Sequence, residues 1–158
     1  MEYKVSIYEN GKPRVRTLYI ERVPYKVILL AQRIERMINE TRENVSAIQA
    51  LDAENKSLRA DRPAGWKDKT AENTREIKEL TDKIRDVEDA GFFSDRFEAI
   101  KLILSVNGIK EDDELMNPKT WMEKMDYSDP MAFITFAVQK DVDKKKLVGQ
   151  ILRSTLDD

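Results

Sequence analysis

The sequence predicts a mainly helical α+β fold: an N-terminal β-hairpin packed on a small helical core, with an inserted antiparallel helical-hairpin arm of coiled-coil character. Three observations predict it. Residues 3–20 alternate with period two around an Asn-Gly pair. Positions 39–60 hold no Gly or Pro, and the breaker cluster Arg62-Pro63-Ala64-Gly65 then separates two helical runs. Finally, 37% of the residues are charged, against about 25% in an average globular chain, so more of the chain faces water than a sphere provides.

Tyr3, Val5 and Ile7 fall on one side of the first strand, with Lys4, Ser6 and Tyr8 on the other. Asn10-Gly11 tolerates the positive φ angles of a type I′ turn, and in the return run Val15, Thr17 and Tyr19 alternate against Arg16 and Leu18. Pro13 lacks an N–H and is tolerated at a strand start or edge. A lone two-stranded hairpin is barely stable, so this one must lie on something apolar.

Pro24 suits the first turn of a helix, and Val27, Leu30, Ala31, Ile34, Met37 and Ile38 follow on one face. The stripe thins through Val45, Ile48, Leu51 and Leu58. A return helix over about Asp68–Asp89 carries Ile77, Leu80, Ile84 and Val87 at the 3, 4, 3 spacing of a heptad seam. Two narrow apolar stripes joined by a short turn predict an antiparallel pair tipped by Trp66 and ended by Gly91.

Phe92, Phe93, Phe97, Ile100, Leu104 and Val106 form the most apolar stretch, with Ser94 as N-cap and Asn107-Gly108 as C-terminal stop. The acidic run Glu111–Glu114 precedes Asn117-Pro118, which opens a short helix through Trp121, Met122 and Met125. Asp129-Pro130 opens another through Phe133, Ile134, Phe136, Ala137 and Val138, after which Asp141–Lys146 is heavily charged and Leu147–Leu156 regains helical spacing. The expected division is 1–40 with 91–140 as core, 41–90 as arm, and 141–158 as a charged, weakly held C-terminal helix or tail.

The chain has no cysteine and no histidine. That withholds imidazole and thiolate nucleophiles, Ser-His and Cys-His relays, and the usual soft zinc ligands, so no enzyme, catalytic residue, cofactor or metal is expected. Glu111–Glu114 lacks the alternate oxygen ligands and the glycine of a calcium loop, and its plainer role is at helix N-termini. The remaining carboxylates lie in runs rich in Lys and Arg, which predicts solvated ion-pair faces. Residues 1–33 hold seven Lys and Arg against three Asp and Glu, and the rest of the chain is mildly acidic, so nucleic acid is not the leading partner. No run approaches the length of a membrane span, and Met1 leads straight into charged, alternating sequence, an expectation of no secretory signal and no membrane.

Two clusters invite a functional reading. Arg62, Trp66 and Lys67 at the arm tip combine charge with an aromatic, either to grip a single strand by stacking or to plug the open end of the helical pair. Phe93, Phe97, Met116, Trp121, Met122, Met125, Phe133 and Phe136 gather in a region of short helices; methionines either fill gaps in a small core or adapt a groove to a partner helix.

The order of elements resembles that of the tail assembly chaperones of long-tailed bacteriophages. The resemblance lies in Tyr3–Asn39, with its strand, Asn-Gly-Lys turn, second strand with Arg14, Arg16, Thr17 and Tyr19, and helix through Ile28, Leu29, Ala31 and Ile34. It lies also in Phe93–Lys140, where an apolar helix ends at Val106-Asn107-Gly108-Ile109-Lys110-Glu111, the place of the family's FGNQFT pattern and acidic continuation. The aromatics and Gln of that pattern are missing here, and residues 41–90 would be an insertion.

The resemblance implies a non-enzymatic, cytoplasmic assembly factor that binds the tape measure protein, keeps its apolar helices soluble, helps recruit tail tube protein and is not expected in the mature virion. It also implies a longer product made by ribosomal slippage, for which the codons of Lys144, Lys145 and Lys146 are the candidate position; the plainer reading of that triplet is a charged helical face. The alternative is a structural or scaffolding protein that forms homo-oligomers or binds protein partners through its arm.

Overall fold

Asn10 and Gly11 adopt φ of 52° and 75°, the left-handed pair of a type I′ turn, and so fix the register of the strands on either side. In this computed structural model, which describes residues 1–154 and the side chains of all of these but residues 88, 90, 144 and 147–154, β1 (Glu2–Glu9) pairs antiparallel with β2 (Lys12–Tyr19). Val5 stands opposite Arg16 and Tyr3 opposite Leu18. The two-residue loop therefore sends Leu18 and Ile20 inward with Val5 and Ile7, and leaves Val15 (59% exposed) and Tyr19 (62%) to solvent.

Five α-helices follow among the described residues: α1 (Tyr25–Asp61), α2 (Trp66–Val87), α3 (Phe93–Val106), α4 (Pro118–Glu123) and α5 (Asp129–Ser154). A one-turn 3₁₀ segment, Glu114–Met116, precedes α4. The mainly helical α+β class with an N-terminal hairpin agrees with the sequence-based expectation. Between α2 and α3 the helical path kinks at Gly91, whose φ of 108° suits only glycine.

The chain divides into two compact units, residues 1–33 with everything from Ser94 onward, and Ile34–Phe93. The first is built on apolar burial. Val5, Ile7, Leu18 and Ile20 of the hairpin are buried, as are Val27 and Leu30 of α1, Ala99, Ile100, Ile103 and Leu104 of α3, Leu115, Trp121 and Met125, and Phe133, Ile134 and Ala137 of α5. Tyr3 packs at 5.2 Å from the Phe133 ring and 4.8 Å from Phe136, and Trp121 lies 5.4 Å from Phe133. Tyr8 N–H donates to the Lys124 carbonyl at 2.7 Å, joining the open edge of β1 to the end of α4.

Asn107 closes α3 and fastens it to the β2–α1 connection. Gly108 (φ 83°) follows it; Ile109 N–H donates to Leu104 C=O and Gly108 N–H to Ser105 C=O, the paired bonds of a Schellman cap. The Asn107 side chain accepts from the N–H groups of Glu21 and Arg22 at 2.7 and 3.0 Å, and donates to the carbonyls of Arg22 and Ile103 at 2.8 and 2.7 Å. Its entire amide capacity is used.

One expectation changes at the C-terminal end. No separate tail helix begins at 141: α5 runs unbroken to Ser154, because Asp141–Lys146 contains no breaker and its charges support the turn, with Lys145 paired to Asp141 at 2.6 Å and Gln139 donating to Asp143 at 2.9 Å. Thr155 and Leu156, from the expected helical stretch, lie outside the described residues.

In the second unit, the later part of α1 pairs with α2. Heptad spacing along α2 runs Trp66, Thr70, Asn73, Ile77, Leu80, Ile84, Val87, and along α1 it runs Thr41, Asn44, Ile48, Leu51, Asn55, Leu58. Asn44 rather than Val45 belongs to this seam, and Val45 is exposed. Asn73 is fully buried and donates through Nδ2 to Asn55 Oδ1 at 3.1 Å and Glu54 Oε2 at 2.9 Å.

Candidate functional site

α3 buries one face, through Ala99, Ile100, Ile103 and Leu104, and leaves the opposite face uncovered. On that uncovered side lies an open groove of about 870 Å³. Ser94, Phe97, Glu98, Lys101, Leu102 and Ser105 line it from α3, and Glu111, Met116 and Pro118 form its facing wall. Phe97, Leu102, Met116 and Pro118 line it as half-buried apolar side chains, and the exposed Glu98, Lys101 and Glu111 add charge of both signs.

The wall is irregular chain, and side chains hold it in place. Asp113 caps the 3₁₀ turn by accepting from Leu115 N–H at 2.9 Å. The same carboxylate is gripped by both terminal nitrogens of Arg16, one at 2.7 Å. Arg14 Nη2 donates to both Glu114 oxygens at 2.7 and 2.8 Å, and to Glu9 at 3.0 Å. The Arg16 hydrogen bond holds the Asp113 carboxyl below the usual carboxylate range against the opposing pull of desolvation, with the Leu115 N–H and the Arg16 charge assisting. Behind the wall, Trp121 Nε1 donates to Leu115 C=O at 2.7 Å, and Asn117 caps α4 by accepting from Lys119 N–H at 3.0 Å. The acidic run thus has the expected capping role at Asp113, and it clasps two hairpin arginines as well.

The residues singled out from sequence separate into groups. Phe97 and Met116 meet in the groove. Trp121, Met125 and Phe133 are core: Trp121 is 2% exposed and Phe133 0%, so as partner contacts they are corrected by their burial. Phe136 is half-buried against Tyr3, with Lys140 Nζ 6.0 Å from its ring centre. Met122 is 64% exposed but does not line the groove, and Phe93, beside Phe92 at 5.6 Å between rings, falls in the other unit. Leu102, Glu98 and Lys101 carried no sequence signal taken alone; the helical spacing that links them to Ser94, Phe97 and Ser105 is the signal that finds them.

At the arm tip, Arg62 takes a left-handed φ of 48° and Gly65 one of 76°. Trp66 is the first residue of α2, half-buried, and Lys67 Nζ lies 5.8 Å from its ring centre. Arg62 and Lys67 are both exposed. Lys145 and Lys146 are exposed on α5, while the Lys144 side chain lies outside the described ones.

Among the described residues no helix is long and apolar enough to cross a membrane. Comparison with models of protein families, with curated proteins and with solved structures returned no match to this chain.

Proposed function

We propose that this chain is a non-enzymatic assembly factor of the phage tail-chaperone kind, acting in the host cytoplasm. It binds the tape measure protein, keeps its apolar helices from aggregating and helps recruit tail tube protein. The observation that carries the reading is the α3 groove: Phe97, Leu102, Met116 and Pro118 line it half-buried, beside exposed charges of both signs, on a scaffold fixed by the Arg16–Asp113 clasp. An amphipathic helix lays its apolar face into such a groove and meets the charges beside it with its polar flanks. High overall charge keeps a carrier of exposed apolar surface soluble.

The test is co-expression with a tape measure protein and measurement of the soluble fraction. Phe97→Asp with Met116→Asp abolishes solubilisation while the circular dichroism spectrum is retained. A folded double variant that solubilises as well as the parent chain sinks the reading.

A second reading, a scaffold that associates through its arm, is favoured by the half-exposed state of Ile48, Leu51, Ile77, Leu80 and Ile84 in the helical pair. It predicts concentration-dependent association that disappears when residues 44–88 are deleted.

A further inference from the structure

The uncovered stripe of α3 is complementary to itself when reversed. Ser94, Phe97, Glu98, Lys101, Leu102 and Ser105 follow helical spacing along the groove, and residues equidistant from the midpoint of the stripe match: Ser94 with Ser105, Phe97 with Leu102, Glu98 with Lys101. We infer that two copies of this chain recognise each other through α3, packed antiparallel about a two-fold axis at that midpoint, so that each closes the groove of the other.

Charge selects this arrangement over its neighbours. In the antiparallel alignment Glu98 of each copy stands level with Lys101 of the other, giving two symmetric pairs, as an isologous contact requires. A parallel alignment brings Glu98 to Glu98. Sliding the antiparallel helices by three residues in one direction sets Lys101 against Lys101, and in the other sets Glu98 against Glu98. Each alternative puts like charges together, which penalises it. Glu98 uses Oε1 for Lys26 and retains Oε2 for a second donor, and Lys101 is exposed.

The short serine side chains at both ends of the stripe permit close approach of the helices, and Phe97 and Leu102 supply apolar cover on its flanks. The stripe covers only three turns, about 16 Å of helix. That is less than the roughly 800 Å² per partner of a standard interface, so the dimer belongs to the weak, micromolar class. The inference stands apart from the tail-chaperone reading, since it requires no client; a client helix in the same groove competes with the second copy.

The test is sedimentation equilibrium of the full chain over a concentration series reaching several hundred micromolar, alone and as three variants. The parent chain is expected to form a dimer. Glu98→Lys or Lys101→Glu alone brings like charges together twice and weakens the dimer by about tenfold or more. The double variant Glu98→Lys with Lys101→Glu restores both pairs and returns the dissociation constant to within about threefold of the parent. It does not restore the Lys26–Glu98 contact, so recovery reads the intermolecular pairs. A chain that stays monomeric, single reversals that leave association unchanged, or a double variant that fails to recover each overturns the inference.

Discussion

In the core unit, Ile7 of the hairpin, Val27 of α1, Ile100, Ile103 and Leu104 of α3, Trp121, Phe133 and Ile134 reach near-complete burial by packing sheet and helices on one another. In the second unit, by contrast, Ile34 at its very start is the one buried apolar side chain among the described residues, and beyond it the buried side chains are Asn55 and Asn73, both polar. Two helices alone leave their apolar seam half-exposed, and the short amides are what long neighbouring side chains can cover. The difference teaches that the two units are held by different terms: the core by apolar area removed from water, the arm by helix propensity and by an amide pair that fixes which turn faces which.

The largest way to break this contrast is to empty the core. Phe133→Ala removes a fully buried ring that touches both Tyr3 and Trp121, and should cost about 3–5 kcal/mol in urea denaturation followed by Trp fluorescence. Leu80→Ala in the half-exposed seam should cost less than half as much. Equal losses would show that the contrast in burial does not govern stability.

Next in size is Asn107→Ala. Four hydrogen bonds disappear and the Glu21 and Arg22 amides lose their acceptor, an expected cost of about 1–3 kcal/mol by the same assay. Sequence alone reads Asn107 as a helix stop because Asn-Gly stops helices, and that much is local. Its grip on residues 21 and 22 is tertiary and leaves no mark in the spacing.

The hairpin, the breaker at 62–65 and the end of the arm at Gly91 were legible for the same reason, since each rests on the φ preference or periodicity of neighbouring residues. The inward face of β2 was legible only in combination: period two cannot choose between Val15 and Leu18, but a two-residue loop sets Val5 opposite Arg16 and so decides it. Trp121 gave no hint of core rather than surface, because a helix as short as α4 has no face until it is packed; along α5, Phe133, Ile134, Phe136 and Ala137 spread over more than one face, so spacing alone does not say which of them is covered. The groove residues were half visible: Phe97 and Met116 by type, Glu98 and Lys101 only once the buried face of α3 was known.

The clasp gives a smaller, pH-dependent effect confined to the core unit. The folded Asp113 pKa is depressed below its unfolded value near 3.9. Its contribution is therefore complete above about pH 5, and is lost as pH falls through the unfolded value and then the lower folded one. Arg16→Gln should lower stability by about 1 kcal/mol at neutral pH and flatten the acid limb of the stability profile. An unchanged acid limb would mean that Asp113 draws its stabilisation from the Leu115 N–H alone.

The smallest change in stability, and the sharpest probe of the arm, is Asn73→Leu. A leucine in that fully buried position adds roughly 1.5–3 kcal/mol of apolar burial, but it strands the buried Asn55 acceptor at a cost of about 1–3 kcal/mol. The two nearly cancel, so the net shift should stay within about 1 kcal/mol. Alignment is what should suffer. Antiparallel heptads matched at Asn55 and Asn73 bring Ile48 level with Leu80, and because the chain has no native cysteine, Ile48→Cys with Leu80→Cys reports that register by oxidative cross-linking. With Asn73 present the cross-link should form efficiently; in the Asn73→Leu background its yield should fall as slipped pairings become accessible, even though the melting curve barely moves. If yield and stability instead change together, the amide pair is only one more packing contact, and the division between a core held by burial and an arm held by alignment fails.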